Sequence, residues 1–144
     1  MKLTASTLAD ARLENTSRKT QFVLHTPLFQ PSRLRIHRLD GTEVIPQDER
    51  DREKFDNTVR REAFSELAAG QQLELFDSRL KPQASMFELD WGPFNYALEP
   101  GRYDVVIEWQ SARADYVDEA GKRQTLADVW LGTLESPHFQ LKVP

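Results

Sequence analysis

The sequence predicts an all-β protein, an antiparallel sandwich of two sheets built from seven to nine strands. Short segments alternate apolar and polar residues with the period of two that is typical of half-buried strands. Turn signals recur every ~8 to 12 residues, as they do in sandwiches. The sequence lacks the alternation of strands with helices that would indicate a parallel sheet. A chain of 144 residues is most simply one domain, residues 1–144, with its own core.

The clearest element is a turn followed by a long strand at residues 98–110. Pro100 fixes φ for a turn, and Gly101 can take positive φ at no steric cost. After the turn, large apolar residues occupy every second position, namely Tyr103, Val105, Ile107 and Trp109. This alternation predicts a half-buried strand with those four side chains on the core face.

The sequence pattern Leu98-x-Pro100-Gly101-x-Tyr103 resembles the corner before the penultimate strand of fibronectin type III and related immunoglobulin-like domains. In that family a tyrosine at the corner turns its hydroxyl back onto nearby backbone. The resemblance therefore implies a structural role for Tyr103 and no activity. An ordinary hairpin with an aromatic residue at this position is the alternative.

A second feature of the same kind precedes the last strand. The break Gly132-x-x-x-Ser136-Pro137, followed by an alternating segment at 138–143, is similar to the bent last strand of fibronectin-type domains. The resemblance covers residues 85–143 and extends to the first half of the chain only through the number of strands. It implies an immunoglobulin-like sandwich, here without disulfides because the chain has no cysteine.

The other strands follow from alternation and turn signals. They are expected at 8–14, 21–26, 33–39, 42–45, 72–77 and 86–91, and residues 94–98 then lead into the corner at Pro100-Gly101. Asp40-Gly41 is a hairpin signal between two of them, and Pro82 is expected to break the chain. Residues 118–122 resemble a hairpin tip between two short strands.

The charged stretch 48–54 opens the least sandwich-like part of the chain. Phe55, Val59 and Ala63 recur at a spacing of four, which would place them on one helix face. A mobile loop followed by a strand around 58–60 explains the same residues. Both readings stay open, and the fold prediction therefore allows one short helix in 48–66.

Composition excludes several classes of function. The formal net charge of −4 does not support a nucleic-acid binder. The absence of cysteine removes thiolate nucleophiles and thiolate metal sites. No apolar run approaches the ~20 residues of a membrane span. The first ten residues lack the apolar core of a signal peptide, so we expect none. We expect no membrane insertion, with the cytoplasm as the default compartment and export if the chain is a processed product.

No constellation of residues carries a recognisable chemistry, so we expect no catalytic, cofactor-binding or metal-ligating residues. The histidines, His25, His37 and His138, lie far apart in predicted strands and lack zinc-site spacing. The acidic residues Asp115, Asp118 and Glu119 depart from a calcium loop and indicate a solvated hairpin tip. Strand 33–39 carries a basic strip, Arg33, Arg35, His37 and Arg38, which is expected to be its solvent face.

Three functional hypotheses remain. The first is a non-catalytic protein-binding or accessory module that uses the loops 46–66 and 111–128 or a strand edge. The second is an inhibitor or immunity-type protein that blocks a hydrolase, because Trp91 followed by the 98–103 corner looks weakly like bacterial intracellular protease inhibitors. The third is a carbohydrate-binding module, which would need exposed aromatics among Trp91, Trp109 and Trp130. Neither the partner nor the oligomeric state follows from the sequence.

Overall fold

A computed structural model describes residues 1–25, 32–47, 58–75, 80–91 and 94–144. The all-β prediction is confirmed, because the only helical segment among these residues is the single 3-10 turn Arg61–Ala63. Fourteen short strands occur in the described ranges, and all named strand pairs are antiparallel. In chain order they are β1 Lys2–Thr4, β2 Arg12–Glu14, β3 Gln21–Leu24, β4 Ser32–Arg38, β5 Phe64–Leu67, β6 Gln72–Glu74, β7 Leu80–Gln83, β8 Met86–Trp91, β9 Phe94–Leu98, β10 Gly101–Ser111, β11 Asp115–Val117, β12 Arg123–Thr125, β13 Gly132–Glu135 and β14 Phe139–Val143.

The main sheet is built around β10, which is eleven residues long. Strand β4 pairs with one edge of β10, and β13 and β14 share the other edge. Ser136 separates β13 from β14: its N–H donates to the Ile107 carbonyl, and its Oγ accepts from the Ile107 N–H, both at 2.9 Å. These two bonds keep both halves of the bent last strand on the same partner.

The inner face of the main sheet packs against two three-stranded sheets, β1–β2–β6 and β7–β8–β9. One continuous apolar cluster, the main core, joins them and includes Leu13, Ile36, Leu89, Leu98, Val105 and Ile107, all fully buried. Two hydrogen bonds cross between the layers. Tyr96 donates to the Leu34 carbonyl and Trp91 Nε1 to Ser32 Oγ, each at 2.9 Å. This arrangement is that of a β-sandwich.

The two-stranded sheet β3–β5 has apolar residues on both faces. Val23 and Leu67 belong to the main core, whereas Leu24 and Phe64 belong to a second, smaller cluster. The second cluster also contains buried Val59 and Ala63. The nearly continuous apolar run at 22–24 is therefore explained, because both of its faces are covered.

Several predicted elements are shorter than expected. The strand predicted at 8–14 begins only at Arg12, because the Asp10 carboxylate accepts the N–H groups of Ser6 and Thr7, each at 2.8 Å, and holds a turn there. The strand predicted at 42–45 is reduced to a single bridge between His37 and Glu43.

The expectation that Pro82 breaks the chain is wrong. Pro82 lies in β7, opposite Phe87 of β8. In the described part of the chain β7 pairs only with β8, so an edge position accounts for a residue that cannot donate to a ladder.

The segment 46–66 is described only in part. Phe55 and the charged stretch 48–54 lie outside the described residues, as do positions 26, 76 and 77 of two predicted strands. Residues 58–60 form no strand, and the 3-10 turn Arg61–Ala63 leads directly into β5. No helix in the described ranges is long and apolar enough to cross a membrane.

Candidate binding surface

The structure brings together the described parts of the two loops in which the sequence placed function. The Val117 N–H donates to the Val59 carbonyl at 2.9 Å. The Arg60 guanidinium donates to the carbonyls of Val117 and Asp118, at 3.5 and 3.0 Å. Loops more than 50 residues apart in sequence thus form one surface.

A segment that we call the strap, residues 112–130, forms most of this surface. It contains the hairpin β11–β12, which pairs with none of the other sheets in the described structure. Its end joins β3 through two backbone bonds at 2.9 Å, from Phe22 N–H to the Asp128 carbonyl and from Trp130 N–H to the Phe22 carbonyl. The strap covers the second cluster with the half-buried side chains of Tyr116, Leu126 and Val129.

Aromatic contacts support the same junction. The rings of Phe64 and Tyr116 meet edge to face with centroids 6.5 Å apart. The Arg61 guanidinium lies 4.8 Å from the centroid of the Phe22 ring, a cation–π distance. The Arg61 guanidinium thereby covers one face of the half-buried Phe22 ring.

The hairpin tip, residues 118–122, is held by one carboxylate. Asp118 accepts the N–H groups of Ala120 and Lys122 at 3.0 and 2.9 Å, and its second oxygen accepts from Gln124 Nε2 at 2.9 Å. These bonds, that from Gln124 foremost, lower the pKa of the Asp118 carboxyl. The side chains of Glu119 and Lys122 remain exposed on the tip that these bonds brace.

The neighbouring carboxylate of Asp115 is also occupied. It accepts from Arg113 at 3.0 Å and pairs with Arg123 at 3.2 Å, and the bond to Arg113 is the main cause of its lowered pKa. The acidic residues of this hairpin therefore brace the hairpin itself. Within the described ranges no three histidine or carboxylate side chains are placed to hold a metal ion.

The structure places His25 on one face of the main sheet, whereas His37 and His138 both lie beside Asp104 on the other face. His25 is half-buried, with its ring 6.1 Å from that of Trp109 on the core side of the main sheet. His37 lies opposite Asp104 on the outer face, and His138 Nδ1 lies 2.7 Å from Asp104 Oδ2. β3, which ends just before His25, pairs with β5, whereas β4 pairs with β10, so His25 and His37 do not meet.

The basic strip of β4 meets acidic residues on its neighbours. Arg33 and Arg35 contact the two oxygens of Glu108 at 2.6 and 3.0 Å, and Arg35 lies 3.9 Å from Glu135. The strip is thus part of a mixed-charge outer face, and such exposed pairs contribute little stability.

The tryptophans do not form an exposed platform. Trp91 and Trp109 are fully buried, and Trp130 is half-buried against the main core. The ring of Trp130 lies over Gly132, where an added Cβ would come within 3.0 Å of its Cζ2. No exposed pair of tryptophans supports the carbohydrate-binding alternative.

Sequence reasoning missed the second cluster, although it marked both loops that build it. The available signal was apolar residues in otherwise polar loops, Tyr116 and Leu126, together with a strand that is apolar on both faces. Two separate loops that each carry a few apolar residues can bury them only against a common partner.

The corner tyrosine and the break before the last strand are both present in the structure. The Tyr103 hydroxyl donates a hydrogen bond to the Glu99 carbonyl at 2.7 Å, and both β13 and β14, on either side of Ser136, pair with β10.

Comparisons of the chain with protein-family models, curated proteins and solved structures found no match.

Proposed function

We propose that this protein is a non-catalytic protein-binding or accessory module with an immunoglobulin-like sandwich, and that the hairpin β11–β12 contacts the partner. The observation that carries the proposal is the position of this hairpin. It stands outside the sheets of the sandwich, all residues of β12 are exposed, and its tip is nevertheless braced by hydrogen bonds to Asp118.

The hydrogen bonds that brace the tip favour recognition. A loop that is already fixed in one conformation loses less conformational entropy when a partner binds. Asp118 accepts these bonds within the hairpin, which leaves the side chains of Glu119 and Lys122 facing solvent. The tip adds no residue to either apolar cluster, so hydrogen bonding rather than packing braces it.

The test is affinity capture with the full chain and two charge-swapped variants. In the first variant, Glu119→Lys and Lys122→Glu exchange the charges of the tip. In the control, Glu99→Lys and Arg102→Glu exchange an exposed acid and base with the same three-residue spacing, one in the turn before β10 and one in its second residue. Both variants keep the net charge, so electrostatic attraction of the whole chain is unchanged.

We expect one protein to be captured by the original chain and by the control, and to be lost from the tip variant. Failure to capture any protein reproducibly contradicts the proposal. Equal capture by the tip variant would show that the partner contacts a surface other than this hairpin. Turnover of a substrate by the pure chain contradicts the non-catalytic assignment.

The second candidate function is inhibition of a hydrolase by insertion of the tip. The brace formed by Asp118 favours it, because an inhibitory loop must resist deformation in the cleft of its target. A panel of proteases and cell-wall hydrolases provides the test. Inhibition that the tip variant loses supports this function, and inhibition of no enzyme counts against it.

A further inference from the structure

We propose that the strap opens as one unit while the sandwich stays folded, and that opening uncovers the apolar outer face of β3–β5. This conformational device rests on the packing of the chain alone and does not depend on the proposed function.

The strap is held weakly. No residue from 112 to 135 is buried, although this run separates the buried residues Ser111 and Ser136. Its apolar side chains are only half-buried, so lifting them removes less apolar surface from the interior than moving a core strand would. Segments with few buried contacts open at a lower free energy than the core.

The main sheet is held far more strongly. Strand β10 pairs with β4 over seven residue pairs and with β13 and β14 along its other edge. Val105, Ile107 and Trp109 are fully buried beneath those pairings. Opening of the strap breaks none of them.

Among the residues that the structure describes, few bonds join the strap to the rest of the chain. They are the two backbone bonds to Phe22, the bond from Val117 to Val59, and the bonds from Arg60 to two hairpin carbonyls. All of these hydrogen bonds lie over or beside the second cluster. Loss of one bond therefore weakens the packing that supports the other bonds. The strap should therefore respond as a unit.

The residues that the strap covers are apolar. Val59, Phe64 and Leu24 are 1%, 5% and 6% exposed with the strap closed. Lifting Tyr116, Leu126 and Val129 would join these residues with Phe22 in a contiguous apolar patch. Patches of this kind are typical of binding sites rather than of solvent-facing surface.

The ends of the strap stay fixed. Ser111 belongs to β10, and β13 pairs with β10 directly after the strap. Asp128 has φ of 61° and Gly132 has φ of 150°, so the backbone already turns through left-handed conformations at this end. The motion is a hinged opening rather than a detachment.

The chain has no cysteine, which allows one introduced thiol to report on each core. Val59→Cys places a thiol under the strap, and Val105→Cys places one in the main core; the two parent valines are 1% and 0% exposed. The measurement is the rate of reaction with a small thiol reagent under native conditions. We expect the Val59→Cys thiol to react at least ~10-fold faster than the Val105→Cys thiol.

A second substitution checks the mechanism without disturbing either core. Arg60→Gln removes the side-chain bonds to the hairpin from an exposed position. It should accelerate labelling at position 59 several-fold and leave position 105 unchanged. Hydrogen exchange of the unmodified chain should show strap amides exchanging together and ahead of those in β10. Equal labelling rates at the two thiols, or one common exchange rate for strap and β10, would overturn the proposal.

Discussion

The Tyr103 hydroxyl donates a hydrogen bond to the Glu99 carbonyl oxygen at 2.7 Å, across the turn that leads into β10. The ring of Tyr103 is buried in the main core, so one side chain both packs the core and fixes the turn. Burial raises the pKa of this hydroxyl, which keeps it protonated as the donor.

Removal of this hydroxyl should destabilise the protein. Tyr103→Phe keeps the ring but leaves the Glu99 carbonyl without this donor, and we expect a loss of about 1 kcal/mol in the free energy of unfolding. Urea unfolding provides the measurement. Tyr116→Phe is the control, because no hydrogen bond of the Tyr116 hydroxyl is seen in the described structure. Equal losses in the two variants would contradict a special role for the corner.

Gly132 should tolerate alanine less well than Gly101. Both glycines have φ of 150°, a value that disfavours alanine at either position. A Cβ at position 132 also meets the Trp130 ring at 3.0 Å, whereas nothing lies within 4 Å at position 101. We expect Gly132→Ala to be less stable than Gly101→Ala by about 1–3 kcal/mol, the usual range for overpacking. Equal thermal and urea stabilities would show that the Trp130 ring moves aside at no cost.

Ala84 marks a position at which glycine should stabilise the chain. It lies in the tight turn between β7 and β8 with φ of 54°, a left-handed conformation that side chains with a Cβ disfavour. Its side chain is exposed, so little packing is lost. Ala84→Gly should raise the free energy of unfolding by about 0.5–1 kcal/mol after the larger entropy of the unfolded glycine is included. The neighbouring Ser85→Gly should instead be neutral or destabilising.

The sequence could predict those parts of the fold that local patterns determine. The alternation from Tyr103 to Trp109 and the turn at Gly101 appear where they were expected, because a long strand carries enough repeats to separate period two from the helical period. The break at Ser136 was also visible, as the pattern Gly132-x-x-x-Ser136-Pro137 before the last alternating strand.

Other features depend on partners that lie far away in sequence. Nothing local distinguishes the half-buried Tyr116 from an exposed loop residue, because the residue that it packs against, Phe64, is 52 positions earlier. Pro82 signals a break locally, and only its edge position in the sheet permits a strand there. The same holds for Arg33 and Arg35, whose pairing with Glu108 is set by strand register.

Stability should fall at mildly acidic pH because of His25. Burial lowers the pKa of this imidazole below its ordinary value of 6.5, so the folded chain holds it neutral while the unfolded chain takes up a proton. The contribution is complete above pH 6.5 and is lost progressively as the pH falls from there towards the pKa of the folded state. Carboxyl groups such as those of Asp10 and Asp118, whose lowered pKa values lie below 3.8, titrate in a separate, lower range.

The measurement is the free energy of unfolding by urea between about pH 7.5 and pH 5. His25→Gln should flatten the decline over this range, whereas His37→Gln, which leaves the half-buried imidazole in place, should keep it. The backbone N–H of His25 donates to the Ala63 carbonyl at 2.8 Å, and the His25 ring lies beside Trp109. The residue therefore joins the second cluster to the main core. Protonation should therefore weaken both clusters together, and a decline that persists unchanged in His25→Gln would show that another group is responsible.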